Sequence, residues 1–405
     1  MTHSTAQDGS LALPRARPGA PALAAAFILA LCAVAGLAGF VSVAPNRLAS
    51  GQPLPLWVAS GPAVTFALVA LAGLIAGLAL APRRPDRPLL VALASAMLVL
   101  GLVAATGEAA TRLVAEGASG GGRLTRVSLG PAFWIWLVVA LLVFADATGR
   151  IAALKLRFLL VLGLAAGLGG LAASGRLADL SLAREFAVNR DIFVEAVATH
   201  LGLTFGGLLL ALPAGIAIGA YAAARGRRAG ALFAGLNLIQ TIPSIALFAL
   251  LIGPLTALTA ALPALRALGL AGIGAFPALI ALALYALLPV ARAVAAALTA
   301  VPPATLEAGR AMGMTRTQLA REVTLPLALP ILLEMARVVL VQLIGLTVLA
   351  ALIGAGGLGT FIFRGLGQTA ADLVLLGALA TIALALAAHL ALGLLIGLAR
   401  PQGAA

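Results

Sequence analysis

Cysteine occurs once in the 405 residues, at Cys32, lysine once, at Lys155, and histidine three times, at His3, His200 and His389. A lone cysteine excludes a disulfide within the chain and a thiolate metal cluster. Histidines this widely spaced do not suggest a His-ligated metal site. A phosphate-binding loop requires Gly-x-x-x-x-Gly-Lys-Ser/Thr. The only lysine lies between Leu154 and Leu156, so no such loop is present. Acidic residues are scarce as well, 13 against 26 basic ones.

Hydrophobic residues make up 62% of the chain and charged residues 10%. That leaves too little polar surface for a water-soluble domain of this size, and the bilayer is the natural solvent. The net charge of +13 rests almost wholly on arginines scattered between apolar runs. That placement fits topological anchors and not a nucleic-acid surface.

A spanning helix needs about 20 mostly apolar residues. Ten runs qualify, near 21–43, 57–81, 89–106, 128–147, 157–174, 200–224, 229–253, 276–298, 326–353 and 372–399. They are continuous and lack period-2 alternation, so an all-α polytopic membrane protein is expected, not a barrel. The polar start carries Arg15 and Arg17, and the run after it is long enough to be a retained span instead of a cleaved signal.

The positive-inside rule orients the chain with both termini in the cytoplasm. The inner side then receives Arg15, Arg17, Arg83, Arg84, Arg87, Arg150, Lys155, Arg157, Arg225, Arg227, Arg228, Arg292, Arg310, Arg316, Arg321, Arg337 and Arg400. The remaining basic residues, fewer in number, fall outside. Three parts are expected: five spans in 1–175, a charged amphipathic or surface linker helix in 176–199, and five further spans in 200–400.

The most informative segment is 301–330, VPPATLEAGRAMGMTRTQLAREVTLPLALP, on the cytoplasmic side. Pro302 and Pro303 end the preceding helix. Thr305 is a candidate cap for a short helix over 306–312. Gly313 permits a break, Thr315 starts a second short helix, and Pro326 and Pro330 mark entry to the ninth span.

This segment resembles the EAA loop of binding-protein-dependent ABC transporter permeases. The matching positions are Glu307, Ala308, Gly309, Gly313, Val323, Leu325 and Pro326. Gly309 stands where the family has Ala, and Val323 conservatively replaces Ile. Residues 236–251, 285–294 and 353–359 are similar to the osmoprotectant branch, whose members import glycine betaine, choline, carnitine or similar quaternary amines. The five leading spans resemble an extension found in a longer subset of that branch.

The resemblance implies a type I-like permease domain over 200–400 in a bacterial inner membrane, with a coupling loop at 301–326 and no catalytic chemistry of its own. It also implies a cytoplasmic ABC ATPase dimer that carries the ATP and Mg, an extracytoplasmic solute-binding protein, and a second permease subunit, identical or sibling. No cofactor is expected in this chain. The small residues Ala308, Gly309 and Gly313 would allow close approach to the ATPase, and Glu307 would contact its rim.

Polar groups inside apolar spans are costly in lipid and mark a pathway or a helix–helix contact. Asn237, Gln240, Thr241, Pro243 and Ser244 cluster in the seventh span, Tyr285 lies near Pro289 in the eighth, and Gln342 and Thr347 lie in the ninth. The two readings carry similar weight. Glu334 and Arg337, at i and i+3, are expected to pair locally. Trp57, Trp134 and Trp136 are expected in an interfacial belt. An ion-coupled transporter would need mid-span acids or histidines, and a membrane-embedded enzyme would need a reactive cluster. The spans offer little of either.

Overall fold

The computed structural model describes residues 38–46, 49–81, 85–119, 124–267 and 270–399. The expected first span, with Cys32, lies outside the described residues as far as position 37. So do Arg15, Arg17, Arg47, Arg83, Arg84, Arg123 and Arg400. Contacts divide the chain into two compact units, Met1–Arg184 and Glu185–Ala405.

The first unit holds four long helices: α1 (Pro62–Leu80), α2 (Arg87–Ser119), α3 (Pro131–Gly149) and α4 (Leu154–Ala173). Both α1 and α3 begin with a Gly-Pro pair. Proline suits the first helical position because its missing N–H would have no intrahelical partner there. Three short strands were not expected: β1 (Val41–Ala44), β2 (Gln52–Leu54) and β3 (Arg126–Leu129), in the order β2-β1-β3 and antiparallel throughout. Residues 41–43, the expected end of the first span, are therefore strand, and the β-branched Val41 and Val43 suit it. Leu180 adds a parallel bridge to Val127. The segments that follow the expected first, third and fifth spans thus meet in one sheet.

Trp136 does not join a belt. It is 4% exposed, in a core that includes Phe40, Val99, Phe133 and Ala140. Position 136 falls on the inward stripe of α3, whereas Trp57 is 48% exposed.

The second unit contains α5 (Ser181–Val188, across the boundary), α6 (Arg190–Arg225), α7 (Gly230–Thr241), α8 (Ser244–Ala261), α9 (Ala275–Thr299), α10 (Pro303–Ala311), α11 (Leu325–Thr347), α12 (Gly359–Gly367) and α13 (Ala371–Ala399). The expected linker helix is only partly separate. From Arg190 onward the chain is already part of the sixth span, a helix of 36 residues. At ~1.5 Å per residue that is about 54 Å, well beyond a ~30 Å hydrocarbon core.

The expected seventh span, 229–253, is broken. Gln240 and Thr241 end α7, Ile242 is extended, and α8 starts after Pro243. The candidate span here is Ser244–Ala261. Among the described residues nine helices are long and apolar enough to cross a bilayer.

The centre of this unit is a seam of small residues between α6 and α9. Gly207, Ala211, Gly215 and Gly219 recur every four residues on one face of α6. A Cβ added at Gly207 would lie 2.6 Å from the Leu282 Cβ, at Gly215 2.6 Å from the Val290 Cγ1, and at Gly219 2.5 Å from the Ala291 carbonyl oxygen. Lipid supplies no hydrophobic drive between helices, so this close backbone approach is the source of the packing.

Gly219→Ala is expected to cost about 1–3 kcal/mol by overpacking against backbone and to lower the melting temperature of the purified protein. Gly163→Ala on α4 meets open space and is expected to keep or raise the melting temperature in the same thermal scan, since an interior helical glycine costs up to about 1 kcal/mol against alanine.

Candidate functional site: coupling hairpin and proline elbow

The segment between α9 and α11 is a hairpin. Its first arm, α10, begins at Pro303 with Pro302 as cap, so Thr305 lies inside the helix and does not cap it. The proline again supplies a preset φ at the first position. The arm ends in a Schellman turn: the Met314 N–H donates to the Gly309 carbonyl at 3.1 Å and the Gly313 N–H to the Arg310 carbonyl at 3.0 Å. Gly313 has φ +80°, a left-handed conformation that explains glycine there.

The second arm is not a separate helix. A turn at Arg316–Gln318 is capped by a reciprocal Thr315–Gln318 box. A π turn, Leu319–Thr324, then leads straight into α11. Pro326 offers no N–H to residue 322, and its ring would crowd that carbonyl in a regular helix. The wider π turn lies at the point where this conflict must be absorbed. The hairpin arm and the ninth span thus form one helical rod, Arg316–Ile353.

Glu307, Ala308 and Arg310 are exposed, and Met312 at the tip is 77% exposed. Gly309 is buried and faces inward: a Cβ there would lie 2.6 Å from the Leu319 Cδ1 and 3.2 Å from the Met314 sulfur. Gly309 therefore closes the two arms on each other and offers no surface to a partner, contrary to the expectation. A Cβ at Gly313 would meet nothing within 4 Å, so its glycine serves the turn. Val323 is half-buried, and Leu325 and Pro326 are exposed. Leu306 anchors the base against Ala297, Val301 and Ala328.

The polar residues of the broken span are divided. Gln240 and Tyr285 meet: the Gln240 Nε2 donates to the Tyr285 carbonyl at 3.0 Å, and the Tyr285 hydroxyl donates to the Ile242 carbonyl. Asn237, Thr241 and Pro243 are exposed, Ser244 is half-buried, and the Thr241 hydroxyl bonds only to its own helix at Leu238. Gln342 is exposed, whereas Thr347 is fully buried with its hydroxyl 2.9 Å from that of Thr204. For Gln240, Tyr285 and Thr347 the helix–helix reading holds. Glu334 and Arg337 pair on α11 as expected.

His200 is a participant that sequence reasoning passed over. It is fully buried on α6, with Nε2 3.0 Å from the Ile344 carbonyl and Nδ1 accepting from the Leu358 N–H at 3.4 Å. After Thr347 the helix tightens into a 3₁₀ segment, Val348–Ile353, and the Val348 N–H turns to Gly345. That leaves the Ile344 carbonyl to His200. Accepting at Nδ1 fixes the neutral tautomer with the proton on Nε2. Gly354, Gly356 and Gly357 all have positive φ in the turn that brings Leu358 to His200. The available signal was a histidine in a span paired with a glycine-rich turn.

Two family models match: the N-terminal domain of ABC transporter permease YehY over residues 20–183, and the binding-protein-dependent transport system inner membrane component over residues 211–398. The glycine betaine/carnitine/choline transport system permease protein OpuCD of Bacillus subtilis is 35% identical over 209 residues, covering 51% of this chain and 84% of the relative. The chain belongs to the binding-protein-dependent ABC transporter permeases. The osmoprotectant import permease protein OsmW of Salmonella typhimurium is 37% identical to this permease over 191 residues, 47% of this chain and 84% of the relative. A solved chain of the MetNI methionine ABC transporter, in an inward-facing conformation, is 27% identical over 52% of this permease and 97% of that chain, with a TM-score of 0.44.

Replacing Gly313 by Ala puts a side chain on a left-handed residue at a cost of about 1–2 kcal/mol, and Thr315→Ala removes a cap worth about 1 kcal/mol. In both variants of the permease, hydrogen exchange at the amides of Met314 and Gln318 is expected to accelerate. Exchange in α6 and α9 is expected to stay at the parent rate.

Proposed function

We propose that this permease forms the membrane pathway for a quaternary-amine osmoprotectant such as glycine betaine or choline, driven by ATP hydrolysis on a separate cytoplasmic ATPase dimer. The observation that carries the coupling role is the continuity of the hairpin with the ninth span. A force on the exposed residues Glu307, Ala308, Arg310 and Met312 crosses the Gly313 turn to the second arm, and from Arg316 the π turn and α11 continue it as one membrane-crossing rod. The transport roles of OpuCD, for glycine betaine, carnitine and choline, and of OsmW, for osmoprotectants, support the solute class.

In this assignment Glu307 and Arg310 make charged contacts at the rim of the ATPase groove. Ala308 and Met312 supply its apolar contact, and Gly309, Gly313, Val323, Leu325 and Pro326 set the shape of the hairpin. ATP and Mg are held by that ATPase. An extracytoplasmic solute-binding protein delivers the solute. Asn237, Thr241 and Gln342, exposed on the single chain, are groups that a second permease subunit, identical or sibling, would enclose along the pathway. The N-terminal five spans form an extension ahead of the permease domain, and both termini lie in the cytoplasm. The sheet supports the sidedness assigned to the first unit, because it joins three segments that the charge rule places together outside.

Two measurements test the assignment. In the complex assembled with its ATPase and binding protein, glycine betaine or choline is expected to stimulate ATP hydrolysis, and stimulation by neither would remove the solute class. Glu307→Lys is expected to abolish ATP-driven uptake at normal membrane levels. Labelling of a Glu307→Cys variant by an impermeant maleimide from the outer face alone would remove the coupling role.

A further inference from the structure

Two carbonyls of the second unit lie outside regular helical bonding, one below a proline in a helix and one at a break between helices. Pro289 in α9 has no N–H for the carbonyl of Tyr285, four residues earlier. Pro243 separates α7 from α8 and leaves the Ile242 carbonyl at an extended residue, outside both helices. A backbone carbonyl left unmet in a packed interior is expensive. Each is met from across the gap: the Gln240 side chain reaches the Tyr285 carbonyl, and the Tyr285 side chain reaches the Ile242 carbonyl. Tyr285 is thus acceptor through its backbone and donor through its hydroxyl, and the two bonds form one reciprocal clasp.

The elements that the clasp joins differ in how firmly they are held. Eleven residues of α9 are buried, including Ala281, Leu282, Ala286 and Ala291, and the helix is locked to α6 through the glycine seam. In α7 only Leu236 is buried. Sparsely buried elements open first, and an extended residue followed by proline between two helices is a natural hinge.

We propose that Gln240 and Tyr285 are gate-positioning residues: their reciprocal bonds latch the α7–α8 elbow against α9 in the resting permease, and the latch releases during the transport cycle. The latch rests on the assignment of the elbow to the solute pathway. For Ile242 to swing away these two bonds must break and Ile242 must leave the apolar cluster that includes Leu247 and Phe248. The cost of baring two carbonyls keeps the elbow shut until the ATPase drives it.

The test uses the permease assembled with its ATPase in lipid nanodiscs, with Cys32→Ala and Ser244→Cys placing one thiol of this chain at the elbow. The readout is the rate of modification by a water-soluble maleimide, followed as mass added to this chain. Tyr285→Phe deletes only a hydroxyl and keeps the ring. It is expected to raise the resting rate about threefold to tenfold, the range for loss of one interhelical hydrogen bond. Gln240→Leu is expected to do the same and to raise ATP hydrolysis in the absence of the binding protein. Trapping the latched parent with ATP and vanadate is expected to raise its rate as well. A resting rate for Tyr285→Phe equal to the parent's would overturn the latch. If neither variant assembles, an unchanged rate on trapping the parent overturns it and a raised rate supports it. No solute enters the assay, so its outcome is independent of whether glycine betaine or choline is transported.

Discussion

A backbone carbonyl that loses its helical donor inside a bilayer must find another, because no water is at hand. In the second unit the carbonyls of Tyr285, Ile242 and Ile344 are each taken by a side chain from another element. Pro289 frees Tyr285, which Gln240 meets. The break before Pro243 leaves the Ile242 carbonyl outside both helices, and the Tyr285 hydroxyl meets it. The tightening of α11 into a 3₁₀ turn frees Ile344, which His200 meets. Irregularities in one helix therefore create the directional contacts between helices. Packing alone, between apolar surfaces in an apolar solvent, would not fix their register.

These contacts divide the unit into parts that hold and parts that yield. The seam between α6 and α9 is steric and has no slack, since at Gly219 even a methyl would meet backbone at 2.5 Å. The rod that begins at Arg316 is clamped to α6 near its far end, where His200 holds Ile344 and Thr204 holds Thr347. From the start of the rod to the clamp is roughly 40 Å at ~1.5 Å per residue. The elbow between α7 and α8 lies outside both of these regions and is held by apolar packing at Leu236, Leu247 and Phe248 together with the two hydrogen bonds.

Sequence gave access to the features that are local. Long apolar runs located the spans, and fixed spacing located the hairpin. The break at Pro243 was hidden because apolar character continues on both sides of it. Proline alone does not mark such a break: Pro213, Pro254, Pro289 and Pro330 all lie inside helices. At Pro289 the carbonyl left without a donor is met by Gln240, a residue 45 positions away from Tyr285, which no local reading supplies. The strands escaped notice for a different reason. At three or four residues each, they are too short for periodicity to register, and Val41–Ala44 merges with the apolar run before it.

Gly309 illustrates how a departure from a family pattern is placed once packing is known. In the sequence it stands among Glu307, Ala308 and Gly313 as one of several small residues suited to a partner surface. In the fold it is buried while Glu307 and Ala308 on either turn are exposed, and the Leu319 side chain occupies the space an alanine methyl would need. The substitution of Gly for Ala is therefore answered inside the hairpin, by Leu319 from the π turn coming closer to α10. Helix propensity is lost, by about 1 kcal/mol for an interior glycine, at a position nine residues long enough to hold only two turns. The Schellman turn and the Thr315–Gln318 box stand directly after it and fix the same segment from the other side. The outward face keeps Glu307 and Ala308 exposed, so the change is confined to how the two arms pack on each other.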